Sequence, residues 1–119
     1  WLLSEQKKVA AIDYLSNAGS VIVPELFVAE LGNVLWKYVN FHGLEEAKAM
    51  RMLDLGLELA DEVISNKTLI AQALQLAVKT KHPVYDCIYL TLALNTGFSI
   101  LTLDKKLKSL STSLGVEVV

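Results

Sequence analysis

Apolar residues recur along this chain at two spacings, and the changes between them mark out its elements. Val9, Ile12 and Leu15 lie at helical spacing between Lys8 and Ala18, and Asn17-Ala18-Gly19 closes that stretch as a left-handed cap would. Val21-Ile22-Val23 is a short β-branched run that predicts a strand. Pro24 then stands where a helix would start, because its missing N–H is no loss there. From Pro24 to Phe41 apolar residues return at Leu31, Val34, Leu35 and Tyr38, and the run stops at His42-Gly43. Leu44 to Ala60 repeats the pattern through Ala47, Met50 and Leu57, so two consecutive helices are expected.

Glu62-Val63-Ile64 predicts a second short strand, with Asn66 capping a helix from Lys67 to Lys81 that Pro83 separates from the next. A helix from Val84 to Leu94 stops at Asn95-Thr96-Gly97, and Phe98 to Leu103 reads as a buried strand. Asp104 then caps a helix running to about Leu114, Gly115 ends it, and Val116 to Val119 forms a last strand. Short apolar strands alternating with helices call for an α/β fold with a short, mostly parallel sheet covered on both faces. There is no internal repeat or linker, and 119 residues suffice for one domain and not for two.

Composition narrows the possible functions. With 53% hydrophobic and 20% charged residues, the chain buries enough apolar surface to fold. A net charge of −2 excludes a protein that coats nucleic acid through a general basic excess, so any such contact is local. Cys87 is the single cysteine, which rules out an intrachain disulfide and leaves the cytoplasm as the default compartment. The uncharged run from Cys87 to Leu103 is broken by Asn95-Thr96-Gly97 and falls short of the roughly 20 apolar residues of a membrane span. Trp1-Leu2-Leu3, followed by Ser4-Glu5-Gln6-Lys7-Lys8, lacks the order of a signal peptide, and the start without Met reads as the middle of an element.

Three acids stand apart from the mixed-charge stretches that hold Asp54, Glu58, Asp61 and Glu62. Glu30 is the only charged side chain from Leu26 to Trp36, in an apolar helix that follows a strand; burial there is expensive unless the carboxylate is paired or metal-bound. Asp86 is the only formally charged residue from His82 to Leu103. Asp104 directly follows Ile100-Leu101-Thr102-Leu103. Asp86 and Asp104 each have a competing reading as a helix N-cap. In open α/β sheets, ligands gather at the carboxyl ends of strands, and a convergence of the three there would suit Mg²⁺ or Mn²⁺, which want oxygen ligands and keep several waters. Asn33 shares the helical face of Glu30, and Thr102 points to the same side of its strand as Asp104, so both are candidate supporting residues, with an ordinary helix amide and a core Thr as the competing readings.

Other sites are poorly supported. His42 and His82 have no partners at zinc-ligand spacing, and Cys87 reads as a core residue. No phosphate loop or nucleophile elbow occurs, and Lys105, Lys106 and Lys108 read as a solvated face that could also meet RNA phosphates.

These residues carry a resemblance. Val23-Pro24-Glu25-Leu26 with Glu30 and Asn33, Tyr85-Asp86-Cys87-Ile88-Tyr89-Leu90, and Leu101-Thr102-Leu103-Asp104 are similar to three elements of PIN-domain ribonucleases, particularly the VapC-like toxins of toxin–antitoxin pairs. The likeness runs over nearly the whole chain, in the family's order. It implies a PIN-like three-layer α/β/α fold and hydrolysis of RNA with Mg²⁺ or Mn²⁺ through Glu30, Asp86 and Asp104. It also implies inhibition by an antitoxin protein, and frequent dimerisation.

The family begins with an apolar strand ending in an Asp. That strand and acid have no counterpart ahead of Trp1-Leu2-Leu3, so the domain over 1–119 reads as N-terminally incomplete by about 10 residues. The alternative function is therefore a catalytically silent PIN-like module that binds RNA or protein. A phosphoacceptor signalling domain fits less well, because Glu30 and Asp86 are borne on helices. The helices Pro24–Phe41 and Leu44–Ala60 carry more apolar surface than one small sheet covers, which predicts a homodimer with Trp36 and Tyr38 as candidate contacts.

Overall fold

The computed structural model describes residues 19–102 and 104–119. The helix expected from Lys8 to Ala18 and the position of Leu103 lie outside the described residues. The chain divides into two compact units, Trp1–Val63 and Ile64–Val119.

In the first unit, strand β1 (Ile22–Pro24) pairs with β2 (Glu62–Ile64). Asp61 fixes the start of this pairing at both polar atoms of Val21: its N–H donates to the Val21 carbonyl at 2.8 Å, and its Oδ2 accepts from the Val21 N–H at 2.7 Å. Pro24 ends the strand, fully buried, instead of opening the helix. Helix α1 (Leu26–His42) starts two residues later, and Gly43 closes it at φ 72°, a conformation that only glycine adopts without strain. Helix α2 (Glu46–Leu59) packs against α1. Leu31 and Leu35 of α1 meet Ala49 of α2 in a small core, flanked by Phe27, Val39, Leu44, Met52 and Leu53.

The second unit is built around helix α4 (Val84–Thr96), in which Cys87, Ile88, Leu90, Thr91, Leu92 and Ala93 are all buried. Helix α3 (Asn66–Thr80) packs along it through the buried Leu69 and Ala73. Ser65 caps α3, its Oγ accepting from the Lys67 N–H at 3.2 Å; the expected cap, Asn66, is the first helical residue. Gln72 and Asn95 join the two helices by exchanging amide hydrogen bonds of 2.9 and 3.3 Å. Leu90 and Ala93 continue into a core with Ile100, Leu107, Leu110 and Val116, where truncating a leucine costs about 2–5 kcal/mol.

The two late strands shrink to a single parallel bridge between Ile100 and Val118. Ile100 donates to the Glu117 carbonyl at 2.9 Å, and Val119 donates to Ile100 at 3.1 Å. Helix α5 (Lys105–Ser113) lies between these bridge residues in the chain and buries Leu107, Leu110 and Ser111. Among the described residues, no helix is long and apolar enough to cross a membrane.

Candidate active site

The α3–α4 connection and the start of α5 carry the chemistry of the second unit. Pro83 is the N-cap of α4, because it fixes φ near −60° and has no N–H to satisfy. Asp86 therefore sits inside the first helical turn and does not hold the N-cap position. The N-cap reading of Asp86 is not realised. Its half-buried carboxyl is raised above the ordinary carboxylate range, first by burial and then by the charge of Asp104, with His82 acting in the opposite direction.

Asp104 is a helix cap as well as a neighbour of Asp86. Its Oδ1 accepts from the N–H groups of Lys106 at 2.8 Å and Leu107 at 3.2 Å, which fixes the carboxylate in the first turn of α5. Oδ2 takes part in neither bond. The Thr102 Oγ1 accepts from the Asp104 backbone N–H at 3.2 Å, so this side chain holds the main chain at Asp104 and not its carboxylate.

Glu30 and Asn33 lie on α1 of the first unit, and both are exposed. The burial that would make a lone charge at Glu30 costly is therefore absent. Among the described residues, no group of three or more His, Cys, Asp or Glu side chains stands close enough to hold a metal ion. What the second unit brings together is the pair Asp86 and Asp104, with His82 within electrostatic reach of Asp86. His82 did not stand out in the sequence; the available signal was its place four residues before Asp86, across a proline that starts a helix.

Cys87 is fully buried beside Asp86. Burial pushes its thiol up, the Thr80 hydroxyl opposes that shift, and Asp86 adds to it. A thiol held protonated in the core is a packing residue and not a nucleophile.

The Asp86–Asp104 pair suits a divalent cation. The Asp86 carboxylate has no hydrogen-bond donor among the described residues and faces a second negative charge, and a cation between two such groups would relieve both penalties.

An α/β chain that carries two acids at helix starts, Asp86 in the first turn of α4 and Asp104 at the cap of α5, is the class that the fold and site define. The sequence profile of one such class, described as PIN domain, matches residues 1–112, and the chain belongs to the PIN domain family. The PIN-like α/β/α fold class with a short parallel sheet, expected from the sequence, is the class of this chain. Ribonuclease VapC3 of Pyrobaculum aerophilum is 33% identical over 105 residues, which cover 87% of this chain and 80% of that protein. A solved structure described as the crystal structure of PAE2754 from Pyrobaculum aerophilum is similar over 96% of this chain and 77% of its own, with a TM-score of 0.74 and 25% identity.

Proposed function

We propose that the protein is an endoribonuclease that hydrolyses RNA phosphodiester bonds with Mg²⁺ or Mn²⁺, and that it is the toxin of a toxin–antitoxin pair acting in the cytoplasm. The observation that carries this reading is the pair Asp86 and Asp104: two carboxylates from different helix starts, close enough for one to raise the other. Membership of the PIN domain family and the likeness to Ribonuclease VapC3 support it.

In this reading Glu30, Asp86 and Asp104 hold the cation, and Asn33 and Thr102 support them. The cation, when bound, supplies Lewis acidity to a phosphate oxygen and acidifies a bound water. Asp104 is pre-set for its part, because two backbone N–H groups hold Oδ1 while Oδ2 stays out of the cap. Asp86 needs its charge and has no capping duty. The partners are RNA, an antitoxin protein and a second copy of the chain. Supporting the last, Trp36 and Phe41 form an exposed edge-to-face pair at 5.6 Å, and Met50 and Leu55 are also exposed.

The test is cleavage of a labelled single-stranded RNA by the full-length protein in Mn²⁺, Mg²⁺ and EDTA, alongside the Asp86→Asn variant. Cleavage that needs the metal and is lost in a normally folded variant supports the enzyme. Binding of the RNA without cleavage under every condition would instead mark a catalytically silent module.

A further inference from the structure

Three residues join α3 to α4, and they are arranged around an imidazole. Lys81 turns the chain at φ 58° and ψ 36°, and among the described residues it is the only non-glycine residue with positive φ. That conformation costs an L-residue about 1–2 kcal/mol. The turn brings the His82 ring back onto the end of α3, with Nδ1 2.9 Å from the Thr80 carbonyl oxygen. Thr80 is the last residue of α3, so its carbonyl has no partner within the helix and the ring satisfies it.

This bond decides the chemistry of the other ring nitrogen. A carbonyl oxygen can only accept, so Nδ1 carries the hydrogen. In the neutral ring Nε2 then holds a lone pair and can only accept. No hydrogen bond engages Nε2 among the described residues, and the side chain is half-buried. Pro83 follows and starts α4, which carries Asp86 in its first turn, and the ring is close enough to act on the Asp86 carboxyl.

The backbone of a nucleic acid offers few groups to an acceptor. Phosphate oxygens of a diester accept and do not donate, whereas the ribose 2′-hydroxyl donates and is missing from DNA. We propose that His82 is a specificity residue of this site, its Nε2 accepting a hydrogen bond from a ribose 2′-hydroxyl of the bound strand and so favouring RNA over DNA. This rests on the ribonuclease reading above.

The experiment measures fluorescence anisotropy of the full-length protein with labelled single-stranded oligonucleotides of one mixed sequence, in EDTA at mildly alkaline pH. The strands are all-ribose, all-deoxyribose, and 2′-fluoro, which keeps the sugar shape but has no hydrogen to donate. Wild type binds the ribose strand roughly three- to tenfold more tightly than either of the others, the loss expected for one neutral hydrogen bond. His82→Ala loses that preference without weakening on the deoxyribose strand, and His82→Gln, with an amide oxygen that accepts, regains part of it. A His82→Ala protein that keeps the wild-type preference, or one that weakens equally on both sugars, overturns the proposal. The 2′-fluoro strand decides the matter without any variant: binding as tight as the ribose strand's also overturns it. A wild type with no preference for ribose overturns the proposal, whereas the ribonuclease reading fails only if metal-dependent cleavage is absent, so the two failures are distinguishable.

Discussion

Burial and then the charge of Asp104 raise the proton affinity of Asp86, although the two carboxylates belong to the starts of different helices, α5 and α4. A pair that repels in this way stabilises nothing in the free protein. It has to be held together by the fold, by the cap at Asp104 on one side and by the buried face of α4 on the other.

One consequence is a pH dependence of stability. The folded-state carboxyl of Asp86 is raised, so folding disfavours its charged form. Stability is fully present below the unfolded value, at about pH 4, and is lost as pH rises through the folded value. Asp86→Asn also gives up a favourable charge at a helix N-terminus, of about 0.3–1 kcal/mol, but the raised carboxyl says that the penalties outweigh it. In EDTA the variant should melt above wild type near neutrality, with the gap closing as pH falls towards about 4. Thermal midpoints across that range check this, and a variant less stable at neutrality would contradict it.

Asp104 separates capping from charge. Asparagine accepts the same backbone N–H bonds, so Asp104→Asn should keep its thermal midpoint and lose cleavage. Asp104→Ala loses both, with a stability decrease of about 1 kcal/mol. Equal melting of all three proteins would mean that the cap contributes nothing.

Gly56 lies against Leu31 across the α1–α2 contact. A Cβ at Gly56 would fall 2.6 Å from Leu31 Cδ2, and Leu31 is only 2% exposed. Alanine recovers about 1 kcal/mol of helix propensity while displacing Leu31, so its effect is small. Valine adds two methyl groups and a stiff χ1, and Gly56→Val should destabilise by about 1–3 kcal/mol in urea unfolding.

Trp36 tests assembly. It is 51% exposed on α1, in contact with Phe41 at 69%. The Tyr38 hydroxyl, four residues before His42 on the same helix, is buried without a hydrogen-bond partner among the described residues. If this face joins two copies, Trp36→Glu should convert a dimer to a monomer in sedimentation at tens of micromolar, an order-of-magnitude choice at which a standard interface persists. A wild type already monomeric there would remove the homodimer.

Much of the fold was legible because its punctuation is local. Gly43 and Gly97 close helices, Asp104 opens one, and Pro83 divides two, each for a reason carried by one residue. Boundaries slipped where neighbours competed for one task, as Ser65 and Asn66 did for the α3 cap. The late strands were over-read because runs such as Phe98 to Leu103 look apolar from end to end, yet among the described residues they pair only at Ile100 and Val118. For the candidate site, isolation among uncharged neighbours singled out Glu30 and Asp86, and place after a strand Asp104, but neither signal could show that Asp104 caps a helix while Asp86 does not. His82 was missed because its meaning depends on a backbone carbonyl, which has no letter in the sequence.

Lys81 leaves room for a substitution that keeps its neighbour in place. Glycine adopts the left-handed turn at no steric cost, so it would favour the same backbone that Lys81 holds under strain. That turn is what brings the imidazole onto the Thr80 carbonyl. In a Lys81→Gly protein the His82 ring would therefore keep its tautomer and its setting.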